Sequence, residues 1–216
     1  TAEEGGIGAS LQELSDLVES LHRLGQQLTA IPIAILFGVV SKFVRETAQE
    51  ADKKVEIQFA GEDILCTRSV LEGLERPLKE MAHNCIAHGF KDSPADRESA
   101  GKPAEYQLKV TALDRGSSLV VEVQDDGGGI DCDQIRIDAL EQELIDDPEK
   151  LSDDEALAFL LDDGFGAAPA DEGKEALKPK GLITTQDAVA SLKGTMHITS
   201  AGAEGTLITI RIPKET

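Results

Sequence analysis

Three polar side chains in the segment ERPLKEMAHNCIAHGF have the spacing of one helical face. Glu80, Asn84 and His88 follow one another at four-residue intervals, so each lies about one turn beyond the last. A carboxylate there could position water or accept a proton, and an amide oxygen is a hard ligand suited to Mg²⁺. The stripe indicates either a site for a metal–phosphate group or an ordinary solvated polar face.

The segment DDGGGID, residues 125–131, follows a hydrophobic run and precedes a helix-prone stretch. Glycine lets the backbone approach a flat ligand closely, and Asp125 at a strand end could accept a hydrogen bond from an adenine amino group. The spacing differs from the dinucleotide fingerprint and from the phosphate loop that ends in Gly-Lys-Ser/Thr. By itself the segment indicates either a nucleotide pocket or a glycine-rich turn.

Composition narrows the classes of protein. The 216 residues carry a formal net charge of −20, which disfavours a nucleic-acid backbone or an anionic membrane surface as partner. The longest apolar run, residues 31–40, is shorter than the roughly 18 residues that a membrane helix needs. Three cysteines without metal-like spacing favour a reducing compartment, and we expect a cytoplasmic protein with no membrane insertion.

The elements that position these residues begin with a helical segment. Apolar residues near the start follow a three-to-four-residue repeat, typical of a coiled coil or helical hairpin; they are Leu11, Leu14, Val18, Leu21 and Leu28. Pro32 should interrupt the helix, and LFGVVSKFVRETAQEA predicts a second amphipathic helix. We predict a helical dimerisation arm over residues 9–50. The alternative is that the seam packs against the rest of the chain.

Residues 51–214 predict one α+β domain. Alternation predicts strands at KVEIQFA, at residues 106–113 and 118–124, and in a terminal hairpin built from TMHITS and TLITIRI. Helices are predicted over residues 67–88, with a kink near Pro77, within the acidic stretch 133–163, and at TTQDAVASLKG. The predicted fold class is α+β: a helical dimerisation arm followed by a two-layer α/β sandwich with a mixed, mostly antiparallel sheet.

In this order the motifs resemble the dimerisation and ATP-binding portion of CheA-type chemotaxis histidine kinases, over about residues 25–213. PLKEMAHNCIAHGF is similar to the family's N box, and KDSPADRESAGKP to the run that follows it. DDGGGID is similar to the first Gly box, DxGxG, and LSDDEALAFLLDDGFGAA to the stretch that ends in the F box. The resemblance implies the Bergerat (GHKL) ATPase fold shared with gyrase and Hsp90.

The resemblance implies ATP and Mg²⁺ as cofactors, with Asn84 coordinating the metal and Asp125 binding the adenine amino group. His88 matches a phosphate-side histidine. Glu80 stands where CheA-type proteins have histidine, and other histidine kinases use glutamate there as a base. The remaining implied nucleotide contacts are Gly127, Gly129, Phe165 and Gly181.

The departures from the family pattern fall on the phosphate side. Gln134 and Asp138 stand where the family usually has lysines, and Ala87 replaces an aspartate. In the second Gly box, KPKGLI keeps only Gly181, Pro179 lacks an amide donor, and the two flanking lysines (178 and 180) compensate partly as point charges. Each lost charge-assisted contact weakens binding by about 1.5–3 kcal/mol.

The resulting prediction is a two-component histidine kinase core that binds Mg-ATP and transfers the γ-phosphoryl to a histidine in trans or on a missing domain. The alternative is a catalytically degenerate dimeric scaffold or histidine phosphotransferase that docks a response regulator or coupling protein. In that alternative His22, in SLHRLGQQL, is the candidate phosphoacceptor; the simpler interpretation, which the sequence favours, is an ordinary surface histidine.

Overall fold

The computed structural model describes residues 30–161, 165, 180–200 and 205–214, together with Leu14, Leu17 and Val18. Within these residues the helices are α1 (Ala34–Glu50), α2 (Arg68–Asn84), α3 (Pro94–Ser99), α4 (Cys132–Glu141), α5 (Asp153–Phe159) and α6 (Lys180–Ser191). The strands are β1 (Ile31–Pro32), β2 (Val55–Ala60), β3 (Leu65–Cys66), β4 (Tyr106–Asp114), β5 (Ser118–Asp125), β6 (Thr195–Ser200) and β7 (Thr206–Pro213).

Five of the strands form one mixed sheet in the order β2-β4-β5-β7-β6. Only β2 and β4 are parallel, and the other three neighbouring pairs are antiparallel. Along β4 every second side chain is buried, which is the period expected when one face of a sheet packs on a core. The predicted fold class, with a mixed and mostly antiparallel sheet covered by helices, is confirmed.

Helices α1, α2 and α6 form the layer against the buried face. Leu74, Leu78 and Met81 of α2 are at most 1% exposed, as expected for a stripe at three- and four-residue spacing. In α1, Phe37 is buried and stacks on Phe59 of β2 with ring centroids 4.7 Å apart. The second half of the predicted arm therefore contributes to the core of the sheet domain. The arm of residues 9–50 and its dimer seam remain predictions, because most of residues 9–29 lie outside the described part.

Helix α2 ends in a wider helical turn that shapes the site below. Thr67 caps its start by accepting a hydrogen bond from the Val70 amide, and Pro77 lies inside the helix, as the sequence predicted. After Asn84 the chain continues as a single π-helical turn, Cys85–Gly89, closed by a 2.9 Å bond from the Phe90 amide to the Cys85 carbonyl. Such turns recur at functional sites.

Among the described helices, none combines the length and the apolar character that crossing a membrane requires.

Candidate functional site

A cavity of about 370 Å³ lies where the end of α2, the loop after β5, α4, α6 and the β6–β7 hairpin meet. Its apolar wall consists of Met81, Ile135, Leu160, Leu182, Ile198 and Ile208. Its polar lining includes Asn84, His88, Lys91, Asp125, Gln134 and Thr206. An apolar cavity with a few convergent polar groups is the usual form of a small-molecule site.

Asp125, at the end of β5, is the buried carboxylate of this cavity and is only 4% exposed. Its Oδ1 accepts a 2.9 Å hydrogen bond from the Gly127 amide, and its Oδ2 accepts one of 3.3 Å from the Cys85 thiol. Burial raises the pKa of Asp125, and these hydrogen bonds oppose the rise. The carboxylate is therefore a fixed hydrogen-bond acceptor in an apolar wall, which suits an amino group on a flat ring.

The loop after Asp125 lies so close to the π-helical turn that side chains are excluded. A Cβ atom on Gly127 would stand 2.4 Å from the carbonyl oxygen of Gly89, whereas one on Gly128 would meet nothing within 4 Å. Gly129 has a φ of 73°, in the left-handed region that glycine favours. The close contact at Gly127 and the positive φ of Gly129 therefore favour glycine at these two positions. They are the same two glycines that the sequence analysis named.

Arg97 and Lys102 hold this loop from the other side. The Arg97 side chain is fully buried, donates to Asp126 Oδ2 at 2.6 Å and to the Pro103 carbonyl at 2.9 Å, and stacks on Tyr106. Lys102 Nζ donates to the carbonyl oxygens of Asp126 at 2.7 Å and Gly127 at 2.9 Å. The sequence analysis included Arg97 and Lys102 in the segment KDSPADRESAGKP, which is similar to a segment of the family, but assigned them no role. The feature that could have indicated one is the presence of a basic residue on each side of Gly101.

The side chain of Asn84 supplies an unpaired amide at the cavity. Its Nδ2 is buried and has no hydrogen-bond partner among the described residues, although buried polar groups are almost always paired. The two ends of an asparagine amide exchange places by rotation, so the oxygen can face a ligand as readily as the nitrogen. A hard oxygen at this position fits the Mg²⁺ that the resemblance implies.

The cavity runs from a buried carboxylate to an exposed, charged rim. Asp125 is buried, whereas His88, Lys91, Asp131 and Gln134 are exposed residues of the lining. Lys91 was missed by the sequence analysis; its signal was a cation three residues after His88, two residues beyond the end of the π-helical turn. The rim is therefore suited to the charged end of a ligand whose flat end contacts Asp125.

The structure brings together Asn84, His88, Asp125 and Gly129 in the lining, but not Glu80. Glu80 lines a separate groove between α1 and α2, together with Phe43, Lys79 and His83. A four-residue step overshoots a full helical turn by about 40°, so the stripe drifts around α2 and Glu80 leaves the cavity face.

The remaining candidate residues lie around the cavity or outside the described part. Phe165 is buried against Phe159, with ring centroids 5.6 Å apart. Gly181 lies in the first turn of α6, whose Leu182 lines the cavity. His22 lies outside the described residues, as does the Pro179 of the second Gly box.

Comparison with known proteins matches this site to one family. Residues 72–216 match the family described as histidine kinase-, DNA gyrase B-, and HSP90-like ATPase. The chemotaxis protein CheA of Rhizobium meliloti is 29% identical over 96% of this chain, and that of Treponema pallidum is 27% identical over 97% of it. The chain spans 27% and 26% of those two relatives, about a quarter of their length.

Among solved structures, Acinetobacter baumannii histidine kinase AdeS is similar at a TM-score of 0.49 and 16% identity, covering 95% of this chain and 81% of that one. The assignment does not depend on this likeness. The matched range contains α2 from residue 72 onwards, the residues that line the cavity and the whole five-stranded sheet except β2. The chain therefore belongs to the histidine kinase-, DNA gyrase B- and HSP90-like ATPase family, as an ATPase domain of the CheA histidine kinase type.

Proposed function

We propose that this chain is the Mg-ATP-binding core of a two-component histidine kinase, which transfers the γ-phosphoryl group to a histidine of another chain or domain. The observation that carries the proposal is the gradient along the cavity, from the buried Asp125 to the exposed His88 and Lys91. An adenine ring fits the apolar, carboxylate-containing end, and a triphosphate fits the exposed rim, where Lys91 supplies a positive charge. The family assignment and the CheA relatives support ATP as the nucleotide.

In this proposal each side chain of the lining has a distinct task. Asp125 accepts a hydrogen bond from the exocyclic amino group of adenine, and Gly129, in the lining, allows the ring to approach the backbone. Lys91 lies against the phosphates and offsets part of their negative charge, and His88 donates a hydrogen bond to them. Asn84 would hold Mg²⁺ through its amide oxygen, and the metal would neutralise charge that develops on the transferred group. Positioning and electrostatics, rather than covalent chemistry, account for catalysis of this kind.

Nucleotide binding is tested by titrating the chain with ATP and with ADP in the presence of Mg²⁺ by calorimetry. We expect saturable binding that weakens at least tenfold in Asp125→Asn, because a hydrogen bond to a charged acceptor contributes about 1.5–3 kcal/mol. Asn84→Ala should weaken the binding of Mg-ATP but not that of adenosine. No binding at millimolar nucleotide would overturn the kinase proposal and favour the scaffold.

Phosphotransfer is tested with ATP labelled at the γ-phosphate. We expect no label on the chain alone and label on a separately supplied phosphoacceptor domain of a CheA relative. Label that appears on the chain and disappears in His22→Ala would instead assign the acceptor to His22. Glu80 remains a candidate base, and Glu80→Gln should lower the transfer rate without changing ATP affinity if it has that role.

We also propose that the chain forms a homodimer through its N-terminal helices and works with a response regulator and a coupling protein. Leu14, Leu17 and Val18 are 58%, 58% and 62% exposed, and such apolar side chains at helical spacing favour a partner helix. Leu14→Glu with Val18→Glu should convert a dimer into a monomer in sedimentation equilibrium. A wild-type chain that is monomeric at micromolar concentration would contradict this.

A further inference from the structure

The thiol of Cys85 contacts the carboxylate of Asp125 from a distant part of the chain. Cys85 is the first residue of the π-helical turn, is 6% exposed, and lines the cavity together with Asp125. Its Sγ donates a 3.3 Å hydrogen bond to Asp125 Oδ2, although the two residues are 40 positions apart in sequence. An ionised carboxylate can only accept hydrogen bonds, so the thiol is the donor of this pair.

The two oxygens of Asp125 are held by different segments. Oδ1 accepts a hydrogen bond from the Gly127 amide in the same loop, whereas Oδ2 accepts one from Cys85. The terminal torsion of an aspartate side chain has a broad, roughly two-fold profile, so a single local bond leaves the carboxylate able to rotate. A bond on each oxygen fixes its plane. Each oxygen keeps lone-pair capacity with which to accept from a ligand.

We infer that Cys85 is a positioning residue that sets the preference of the cavity for an aminopurine over an oxopurine. The inference rests on the proposed function, because it concerns the base of the bound nucleotide. It deepens that proposal, which assigns the contact with the amino group to Asp125 and gives the thiol no task.

The chemistry of the two bases explains why a fixed carboxylate discriminates between them. Adenine has an amino donor on C6, which a carboxylate of the right orientation accepts. Hypoxanthine, the base of inosine, has a carbonyl oxygen on C6 and an N–H donor at the adjacent N1, so a carboxylate fixed towards C6 faces another acceptor and is repelled. A carboxylate that rotates can accept from N1–H instead. Loss of the Cys85 bond should therefore weaken adenosine binding and relax the rejection of inosine.

A second buried cysteine separates this role from simple packing. Cysteine is often buried merely as a small apolar residue. Cys66, in β3, is 7% exposed and lies outside the set of residues that line the cavity. Cys85 differs because its sulfur contacts a carboxylate that also lines the cavity. Cys66→Ala is therefore the matched control for Cys85→Ala.

Calorimetric titration of the full chain with adenosine and with inosine measures the preference for the base, without metal or phosphates. We expect Cys85→Ala to bind adenosine about three- to tenfold more weakly than the wild type, because a thiol is a weak donor but its acceptor is charged. The ratio of adenosine to inosine affinity should fall by about the same factor or more. Cys85→Ser keeps a donor at this position and should retain the ratio, as should Cys66→Ala. ATP and ITP with Mg²⁺ should show the same pattern.

Three outcomes would overturn the inference while wild-type nucleotide binding stands. The first is an unchanged affinity ratio in Cys85→Ala. The second is a loss in Cys85→Ser as large as that in Cys85→Ala, because sulfur packing rather than the hydrogen bond would then be responsible. The third is weaker ATP binding in Cys85→Ala with unchanged adenosine binding, which would place the effect at the neighbouring Asn84. Failure of the wild type to bind either ATP or adenosine would overturn the proposed function together with this inference.

Discussion

The ion pair between Arg97 and Asp126 provides the strongest test of how the fold holds the loop after Asp125, residues 126–129. Arg97 lies in α3, and its side chain is fully buried, while that of Asp126 is 23% exposed. The guanidinium donates to the Asp126 carboxylate and to the carbonyl oxygens of Pro103, Glu105 and Asp126. Replacing Arg97 by methionine keeps a long apolar side chain but removes all four donations.

The expected loss of stability follows from burial. Removing one partner of a buried ion pair typically destabilises a protein by 3–5 kcal/mol. Asp126 is partly exposed, and its Oδ1 still accepts a 2.9 Å bond from the Gln107 amide, so water can solvate the carboxylate that remains. We therefore expect the lower end of the range, about 3 kcal/mol, for Arg97→Met. Asp126→Asn leaves the fully buried guanidinium without its counter-charge and keeps only one of the two acceptor oxygens, so it should lower stability by at least as much, about 3–5 kcal/mol.

Urea unfolding followed by circular dichroism measures the free energy of unfolding of each variant. Lys42→Met is the control, because the ion pair between Lys42 and Glu46 in α1 is exposed, with the two side chains 78% and 61% accessible. Its loss should change stability by no more than about 0.5 kcal/mol. Below the unfolding transition, Arg97→Met should also bind ATP at least tenfold more weakly, because Lys102 alone would hold the loop.

An Arg97→Met protein within about 1 kcal/mol of the wild type would refute the argument, since it would mean that the buried guanidinium is not needed to hold the loop. An equal loss of unfolding free energy in Lys42→Met would show that removal of any positive charge destabilises the protein, whether or not the charge is buried.

Three other substitutions test the cavity. Gly127→Ala should abolish nucleotide binding in calorimetry while Gly128→Ala preserves it, because only the first Cβ would clash with the backbone, at 2.4 Å from the Gly89 carbonyl oxygen; equal affinities would contradict the close approach. Because burial raises the pKa of Asp125 above its usual 3.8, the wild type should lose stability relative to Asp125→Asn as the pH rises from about 4 through that raised pKa towards 7. Urea unfolding at both pH values tests this, and an unchanged difference would argue against it. Lys91→Met should weaken ATP binding roughly three- to tenfold and leave adenosine binding unchanged; an equal loss for both ligands would place Lys91 away from the phosphates.

Much of the fold could be predicted from local patterns. Alternation of apolar and polar residues predicted β2, β4, β5 and the β6–β7 hairpin, because the period of a strand is set by its own backbone. The helix over residues 67–88 was predicted in the same way, because the period of a helix is also set by its own backbone. The segment DDGGGID after a strand also indicated a glycine-rich turn or pocket at this position, since the requirement for glycine there is local.

The composition of the cavity could not be predicted in the same way. Thr206 and Ile208 join Asp125 because β7 pairs with β5 in the sheet, although about eighty residues separate them in sequence. Glu80 leaves the cavity face because each four-residue step turns about 40° beyond a full helical turn. A spacing of about one turn therefore does not determine which neighbouring element a side chain contacts. The role of Arg97 depends on a contact across twenty-nine residues.

The sequence alone therefore determined most of the secondary structure and several candidate site residues, such as Asn84 and Asp125, because backbone periodicity and glycine geometry are properties of short segments. Only the tertiary structure decided which of those residues share a cavity, and which polar atoms, such as Asn84 Nδ2 and Asp138 Oδ2, are left without a partner among the described residues. Burial and hydrogen bonding depend on segments that are distant in the chain, and those segments meet only when the sheet and its covering helices assemble.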